Sequence, residues 1–353
     1  QLGKHVRQPV GGERLFVFYD AQVFALYGRY VTAQLKRFGI DAVEMIVPRG
    51  ERVKSAAVLN KVYEFLLSEK VSRTDFILAC GGGVTSDLVG YAAATTLRGI
   101  RWGIVSTTLI GMVDAAIGGK TGINHAKGKN LIGAFWQPSF VFCDTSLLRT
   151  LPSRELIAGL GEVIKYGGLI GPKVIEVLDI YLIDTDLYND RLLNKLVYFC
   201  ASYKADVVAK DERESGLRVF LNLGHTFAHA IENAVGYGRL LHGEAVVLGL
   251  MAAVELSCVL NPQRSKNLSN YRRIIELIMH FIPYRKIDPD EVLRAMHLDK
   301  KRAGVMQRFI LLEKPGRPII VDKVSKKSVL TSMEKVLTVY RSVGGKYAAN
   351  FGC

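Results

Sequence analysis

Residues 76–88 read FILACGGGVTSDL, an apolar run that ends in three consecutive glycines and leads into a helical pattern. The apolar run is typical of a buried strand in a parallel sheet, so the glycines form a strand–turn–helix junction at the carboxyl edge of that sheet. Such a junction lets a ligand approach the backbone, and the N–H groups at the helix start favour a phosphate. The pattern is not G-x-G-x-x-G, which argues against an ordinary Rossmann dehydrogenase, and a plain βα turn is the simpler alternative.

On both sides of this junction, β-rich runs alternate with helical patterns over the first 150 or so residues. The predicted strands are 15–19, 43–47, 76–80, 102–106 and 140–143, with helices at 23–38 and 55–69. After Pro152 helical periodicity dominates, at 192–208, 227–234, 244–259, 271–280 and 329–340, with a short β signal at 309–312 and 319–321. We predict an α/β fold: a Rossmann-like parallel-sheet domain in residues 1–150 and a mainly α-helical domain in residues 151–353.

Composition narrows the class of protein. The formal net charge is +14, but the Lys and Arg residues are scattered and lack interleaved aromatics, so we favour an anionic small-molecule ligand over nucleic acid. The apolar stretch 245–260 is interrupted by Glu255 and predicts a buried helix, not a membrane span. Five widely spaced cysteines without a Cys-x-x-Cys pair argue against disulfides and favour a reducing compartment. We expect a cytoplasmic protein, with an organelle left open because the chain begins at Gln1.

A glycine-rich segment, residues 107–138, offers a second ligand-binding candidate. Gly119-Lys120-Thr121 looks like the end of a P-loop, but that motif requires glycine where this chain has Asp114. The remaining polar side chains suit an anionic, hydroxylated ligand held by a loop. They are Asp114, Lys120, Lys127, Lys129 and Asn130. A solvated loop is the alternative interpretation.

Carboxylate and imidazole side chains on helical segments indicate a metal site. Glu162 and Lys165 lie three residues apart and His225 and His229 four apart, so each pair shares a helix face, and His242 follows. One Glu and two His would leave an open coordination position, as catalytic zinc requires. Three histidines compete for two places, and the pattern alone does not choose among them. The absence of His-Glu-x-x-His argues against a zinc protease.

The charged segment YKADVVAKDERESGLR, residues 203–218, carries more charge than a core helix needs. Alone it is best interpreted as a solvated helix and loop. Beside the histidines, Lys204 and Arg218 become candidate anion ligands.

Several long motifs in register resemble the 3-dehydroquinate synthase family of sugar-phosphate cyclases, from Asp20 to about residue 315. The most specific are GGGVTSDLVGYAAATTLRGI, VDAAIGGKTGINHAKGKNLIGAFWQP, LPSRELIAGLGEVIKYG, LNLGHTFAHAIE and HGEAVVLGL. The resemblance implies a dehydroquinate synthase-like fold, in which an N-terminal NAD-binding α/β domain and a helical metal- and substrate-binding domain share an active site between them. It also implies NAD and Zn²⁺ as cofactors, with Co²⁺ as a substitute.

The resemblance carries roles over residue by residue. The positions that match the zinc ligands are Glu162, His225 and His242. The positions that match NAD contacts are Asp20, Glu51, Lys54, Gly82, Gly83, Asp87, Thr107, Thr108, Asp114, Lys120, Lys129, Thr150 and Leu151. The positions that match substrate contacts are Asp114, Lys120, Asn130, Lys165, Lys204, Arg218, Asn222, His229 and one of Lys300 and Lys301, of which we favour Lys300.

The implied activity is a phosphate-eliminating cyclisation of 3-deoxy-D-arabino-heptulosonate 7-phosphate to 3-dehydroquinate, in the shikimate pathway of aromatic amino-acid biosynthesis. We expect a homodimer that binds this small-molecule sugar phosphate, with neither nucleic acid nor a membrane as partner. Three departures from the family pattern touch no functional side chain: Ser106, Thr85-Ser86 and Ala228, whose methyl group we expect to tighten the pocket.

Three alternatives stay open. A valiolone- or inosose-forming cyclase on the same scaffold would lack a substrate carboxylate, and the presence of Arg218, Asn222 and His229 favours dehydroquinate. A metal-dependent polyol dehydrogenase would have no use for so many phosphate-facing lysines. A basic nucleic-acid-binding protein would leave the Glu and His residues unexplained, and bound zinc would exclude it.

Overall fold

The computed structural model describes residues 2–346 except 12, 185, 237 and 304–307, and leaves out the side chains of residues 9 and 297–303. The chain divides into two compact units, Gln1–Thr150 and Leu151–Cys353. The first unit contains α1 (Leu2–Val10), β1 (Leu15–Asp20), α2 (Ala21–Arg37), β2 (Ala42–Val47), α3 (Ala56–Ser68), β3 (Phe76–Gly81), α4 (Gly83–Thr95), β4 (Arg101–Ser106), β5 (Lys120–His125), β6 (Gly128–Phe135) and β7 (Val141–Cys143).

The second unit is mostly helical. Its elements are α5 (Ser153–Ile170), α6 (Pro172–Ile183), α7 (Asp190–Lys210), α8 (His225–Val235), α9 (His242–Leu260), α10 (Arg264–Met279), α11 (Pro289–Ala303), β8 (Arg308–Lys314), β9 (Arg317–Asp322) and α12 (Lys326–Val343). The helices predicted here and the β8–β9 hairpin are therefore confirmed, with their ends shifted by a few residues. The sequence analysis did not predict α6 and α11.

The sheet of the first unit is parallel and five-stranded, in the order β2-β1-β3-β4-β7. Its central strands are apolar throughout because both faces are covered. Phe16, Phe18 and Ile77 enter one hydrophobic cluster, whereas Val17 and Leu78 enter another. The predicted parallel sheet followed by a mainly helical region is confirmed, and β3 ends at the glycine junction as expected.

The glycine-rich segment is not the loop we expected. Strands β5 and β6 form an antiparallel hairpin that pairs Lys120 with Phe135 and turns at residues 126–127. Gly122 and Gly133 face each other, and a Cβ atom at Gly133 would lie 2.2 Å from the Thr121 carbonyl oxygen. The glycines therefore allow the two strands to approach closely. The prediction of a loop did not consider this role of glycine.

Helix α9 forms the centre of the second unit. It is long and apolar enough to cross a membrane, but 83% of its 18-residue apolar window is buried. Helices α5, α8, α10 and α12 pack around it. The prediction of a buried core helix is confirmed, and its first residue is His242.

Candidate metal and cofactor sites

Three helices bring a carboxylate and two imidazoles together in the second unit. Glu162 lies in the middle of α5, whereas His225 and His242 are the first residues of α8 and α9. The Nε2 atoms of His225 and His242 lie 3.5 and 3.4 Å from Oε1 of Glu162. One donor atom from each residue falls within 4.8 Å of the other two, so the group can hold one metal ion.

Hydrogen bonds fix the orientation of both imidazoles. The Nδ1 atom of His225 lies 3.2 Å from the carbonyl oxygen of Leu223, and that of His242 lies 3.2 Å from Oε2 of Glu232. A carbonyl or a carboxylate only accepts, so each Nδ1 donates a proton there and each Nε2 is the nitrogen that faces Glu162. Nε2 is therefore the nitrogen that each ring offers to a metal.

Electrostatics keeps Glu162 charged. Burial raises the pKa of its carboxyl, but the charge of Lys165 and the contacts with His225 and His242 outweigh burial and hold the pKa well below its ordinary value. The Nζ atom of Lys165 lies 2.6 Å from Oε2, and both side chains are 1% exposed. Within the described part of the chain, neither Glu162 oxygen accepts a hydrogen bond of normal geometry. Oε2 is paired with Lys165, and Oε1, which faces the two imidazoles, is well placed for a bound cation.

The same carboxylates act on His242. Burial lowers the pKa of its imidazole, but contacts with Glu162 and Glu232 outweigh burial and raise the pKa to about 10. A divalent ion would replace the proton on Nε2 and draw on the same negative charge. The donor set of two nitrogens and one oxygen suits zinc and leaves a coordination position open.

The third histidine lies beside the other two. His229 is exposed, and its ring centroid is 5.6 Å from that of His225 and 5.9 Å from that of His242. It also forms a second group with Glu232 and His242 whose donor atoms lie within 4.8 Å. His242 belongs to both groups, and only the first contains the buried Glu162.

Cations predicted for the substrate are buried in the same unit. Lys165, Lys204 and Arg218 are 1%, 6% and 2% exposed. Most other residues of 203–218 are exposed, so the segment is largely the solvated helix and loop that we considered, with Lys204 and Arg218 buried within it. Arg218 and Asn222 lie on a 3₁₀ segment, Leu217–Asn222, which contacts α5 and α7. The amide of Asn222 donates to Oε1 of Glu214 at 2.8 Å. Lys300 lies outside the residues whose side chains are described.

A carboxylate shapes the loop that carries Arg218. Asp211 Oδ1 accepts from the backbone N–H of Ser215 at 2.8 Å, and Oδ2 accepts from those of Gly216 and Arg218 at 2.8 and 2.9 Å. The Arg218 guanidinium in turn donates to the carbonyl oxygen of Glu212. The loop is therefore closed around Asp211, and the Arg218 side chain is held against the loop backbone.

In the first unit, the glycine junction is built for close approach. Gly82 is the N-cap residue of α4 and has no side chain to cap the helix, and Gly83 is the first residue of the helix. A Cβ atom at Gly82 would lie 2.8 Å from the methyl carbon of Thr108. The N–H of Thr107 donates to the carbonyl of Gly81 at 3.0 Å, and Thr108 Oγ1 accepts from the N–H of Gly111 at 3.1 Å. A helix that begins at the carboxyl end of β3 with glycine at its first positions suits a dinucleotide phosphate.

A polar cluster surrounds Lys54, which is 4% exposed. Its Nζ lies 2.5 Å from Oδ2 of Asp87 and 3.7 Å from Oε1 of Glu51, and it also donates to Oδ1 of Asn130. Asn124 links the cluster by donating to Glu51 and by accepting from the N–H of Asn130. Asn130, predicted for the substrate, is thus brought together with three residues predicted for NAD.

The other positions predicted for NAD spread over several elements. Asp20 ends β1 and caps α2, accepting from the N–H groups of Gln22 and Val23. The remaining five are half-buried Asp114 on a π-helical turn, exposed Lys120 and Lys129 on the β5–β6 hairpin, Thr150, and Leu151. Thr150 Oγ1 lies 2.8 Å from the Tyr27 hydroxyl, and the carbonyl of Leu151 accepts from Tyr188 at 2.8 Å.

The sequence analysis overlooked two residues, Asp211 as the centre of its loop and Glu232 as the partner of His242. Glu232 follows His225 by seven residues and His229 by three, so all three lie on one face of α8. That spacing was the available signal. The methyl group of Ala228 lies against Gly249 between α8 and α9, at 3.2 Å from where a Cβ would stand, so it packs the two helices together.

Comparisons with known proteins identify the family of the chain. Two family models match consecutive parts of the chain: "3-dehydroquinate synthase N-terminal" at residues 44–158 and "3-dehydroquinate synthase C-terminal" at residues 159–302. A 3-dehydroquinate synthase from Rippkaea orientalis is 40% identical over 337 residues, which cover 94% of this chain and 92% of that protein.

Among solved structures, a 2-deoxy-scyllo-inosose synthase in complex with carbaglucose-6-phosphate, NAD⁺ and Co²⁺ superposes with a TM-score of 0.85 at 25% identity, covering 95% of each chain. A 2-epi-5-epi-valiolone synthase from Streptomyces hygroscopicus subsp. jinggangensis with NAD⁺ and Zn²⁺ bound gives a TM-score of 0.81 at 26% identity, covering 92% of this chain and 91% of that one. Both are sugar-phosphate cyclases, which confirms the predicted fold. Identity is much higher to the dehydroquinate synthases, and the resemblance read from the motifs is confirmed: the chain belongs to the 3-dehydroquinate synthase family.

Proposed function

We propose that the chain converts 3-deoxy-D-arabino-heptulosonate 7-phosphate into 3-dehydroquinate and phosphate, using NAD and one zinc ion. The overall change is a transient oxidation, loss of phosphate, re-reduction and an intramolecular aldol closure. Membership of the 3-dehydroquinate synthase family makes it a carbon–oxygen lyase. The inosose and valiolone synthases noted above, with NAD⁺ and Co²⁺ or Zn²⁺ bound, support the cofactor assignment, and Co²⁺ is the expected substitute.

The observation that carries the proposal is the convergence of Glu162, His225 and His242 on one point. Two prearranged Nε2 atoms and a buried carboxylate form a three-ligand site with a position left for substrate oxygen. When bound, the divalent ion supplies a Lewis acid and NAD a reversible hydride acceptor.

The chain's own side chains then bind and orient the substrate. Lys165, Lys204 and Arg218 are buried cations, suited to the carboxylate and phosphate of a sugar acid phosphate, and burial strengthens each of these attractions. The amide of Asn222, held by Glu214, is placed to hydrogen-bond a hydroxyl. His229 is exposed beside the proposed ligands and is our candidate for moving protons at a substrate hydroxyl. Fixing the reacting atoms in this way lowers the entropic cost of the reaction.

In the first unit, the residues around Gly82 and Lys54 are proposed to bind NAD. The start of α4 would bind the pyrophosphate, and the Lys54–Asp87 ion pair would hold the side chains beside the cofactor in place. Asn130 donates and accepts within the same cluster, so its amide would be held for either the cofactor or the substrate.

Phosphate release is the direct test. Purified protein with NAD and Zn²⁺ should release phosphate from 3-deoxy-D-arabino-heptulosonate 7-phosphate, a chelator should stop release, and added Zn²⁺ or Co²⁺ should restore it. Sedoheptulose 7-phosphate, the substrate expected for a valiolone-forming cyclase, should give little release. Turnover of sedoheptulose 7-phosphate alone, or net accumulation of NADH during turnover, would contradict the proposal.

A further inference from the structure

Glu232 is a buried carboxylate that contacts a proposed metal ligand from the side opposite to the metal. Its side chain is 9% exposed, and its Oε2 lies 3.2 Å from Nδ1 of His242. The other ring nitrogen of His242 faces Glu162 at 3.4 Å. The imidazole thus stands between two carboxylates, one on each nitrogen.

His242 needs such a partner more than His225 does. Its side chain is 36% exposed, against 12% for His225, so packing restrains its ring less. The Nδ1 of His225 is held by a carbonyl only two residues away in its own chain segment. That of His242 is held by a residue on a different helix, α8. The orientation of the His242 ring therefore depends on how Glu232 is placed.

We propose that Glu232 is a positioning residue for the metal site: it accepts a hydrogen bond from Nδ1–H of His242 and so directs Nε2 to the divalent ion. The inference rests on the metal site of the proposed function. An ionised carboxylate behind an imidazole fixes the tautomer and makes Nε2 a stronger donor to the metal. Glu232 does not touch the ion in this arrangement.

A competing geometry makes Glu232 a ligand itself, in the group it forms with His229 and His242. Glu232 faces Nδ1 of His242, so in that group the ion would bind Nδ1 and leave Nε2 to Glu162. The buried Glu162–Lys165 pair would then lie outside the metal site. The first group uses the buried carboxylate and both prearranged Nε2 atoms, which favours the positioning role.

Zinc affinity, measured by competition with a chromophoric chelator in the absence of substrate, tests the proposal. Glu232→Gln keeps the size and one acceptor oxygen but removes the charge, and we expect zinc affinity to fall about 10-fold to 100-fold, the usual cost of losing such a partner. Glu232→Ala should fall at least as far, whereas Glu162→Ala should lose zinc almost completely. Glu255→Gln is the matched control. Glu255 lies on α9 away from the proposed metal site, is 2% exposed, and forms an ion pair at 2.8 Å with Arg272 of α10. Its zinc affinity should equal that of the unaltered protein.

Thermal unfolding of the metal-free proteins separates positioning from folding. Metal-free Glu232→Gln should unfold close to the unaltered protein and gain less on adding Zn²⁺. Unchanged zinc affinity in both Glu232 variants would overturn the proposal. So would loss of zinc on Glu232→Ala together with retention on Glu162→Ala, since Glu232 would then be a ligand. If zinc affinity falls as expected but no heptulosonate phosphate is consumed by the unaltered protein, the proposed function fails and the positioning role stands.

Discussion

Gly161 of α5 and Gly243 of α9 bring two helix backbones into direct contact. A Cβ atom at Gly243 would lie 1.7 Å from the carbonyl oxygen of Ala158, and one at Gly161 would lie 2.2 Å from that of Gly243. Glu162 directly follows Gly161 on α5, and His242 directly precedes Gly243 on α9. The separation of these two proposed ligands is therefore set by a contact that only glycine allows.

Gly243→Ala should disrupt this contact. The atom it meets is backbone, which cannot rotate away, so we expect a loss of about 3 kcal/mol or more in the free energy of unfolding and weaker zinc binding. Urea denaturation and chelator competition measure the two effects. Gly167→Ala, on the facing helix α5, is the control, since its new methyl would meet only side-chain carbons at 3.3 Å and beyond. That variant should match the parent or gain slightly, because alanine favours the helix. Equal stability of the two variants would show that the close approach is unimportant.

Arg218→Ala should lower kcat/KM about 100-fold or more while zinc stays bound, because water cannot replace a buried guanidinium in its proposed contact with the substrate's negative charge. Zinc content and phosphate release are measured on the same sample. Arg213→Ala, at an exposed position in the same loop, should behave like the parent. Normal turnover in Arg218→Ala would remove this residue from the substrate site.

Asp211 is expected to make the free energy of unfolding depend on pH. Hydrogen bonds from the Arg218, Ser215 and Gly216 backbone N–H groups together outweigh the opposing effect of desolvation and lower the pKa of its carboxyl from 3.8 to about 2. The folded pKa lies below the unfolded one, so the stabilisation is complete above about pH 4 and disappears as the pH falls towards 2. In Asp211→Asn an amide N–H₂ replaces an acceptor, and the variant should be less stable at pH 7.

Urea midpoints of Asp211→Asn and the parent should therefore converge as the pH is lowered from about 4 towards 2. Asp206→Asn, at an exposed position on α7, should track the parent at each pH. A difference between Asp211→Asn and the parent that does not change with pH would mean that the carboxylate charge is not what holds the loop.

Gly82→Ala should weaken NAD binding about 10-fold, because the new methyl group meets Thr108 at 2.8 Å and narrows the approach to α4. The double variant Gly82→Ala/Thr108→Ser removes the Thr108 methyl and keeps the hydroxyl that binds the Gly111 N–H. It should recover the thermal stability of the parent but not its NAD affinity, measured by fluorescence titration. Recovery of both would show that the cofactor does not pass close to Gly82.

The sequence predicts the architecture well because periodicity reports burial. The apolar strand 76–80 and the helical pattern from 244 to 259 are both found, and both are buried on all sides. The β5–β6 hairpin was missed because glycine signals either flexibility or close approach, and only the partner strand tells which. Gly133 has that partner in Thr121, twelve residues away along the chain.

The candidate site was predictable as a set of residues but not as an arrangement. The four-residue spacing of His225 and His229 indicates a shared face, yet which nitrogen faces the metal depends on Leu223 and Glu232. One of these contacts is made to a backbone carbonyl and the other to a side chain of a different helix. Neither kind of contact produces a periodic pattern in the sequence. Family resemblance named the ligands Glu162, His225 and His242, and the structure adds what orients them.

The burial of helix α9 has a consequence for hydrogen exchange in the second unit. Residues 243–257 are buried on every face of the helix, so their amide hydrogens can exchange with solvent only when most of the surrounding helices separate. His242 is attached to the start of this buried segment. Fraying at the surface of the unit would then leave the backbone of this proposed ligand in place, and hydrogen exchange along the segment is expected to follow unfolding of the unit rather than the motion of a loop.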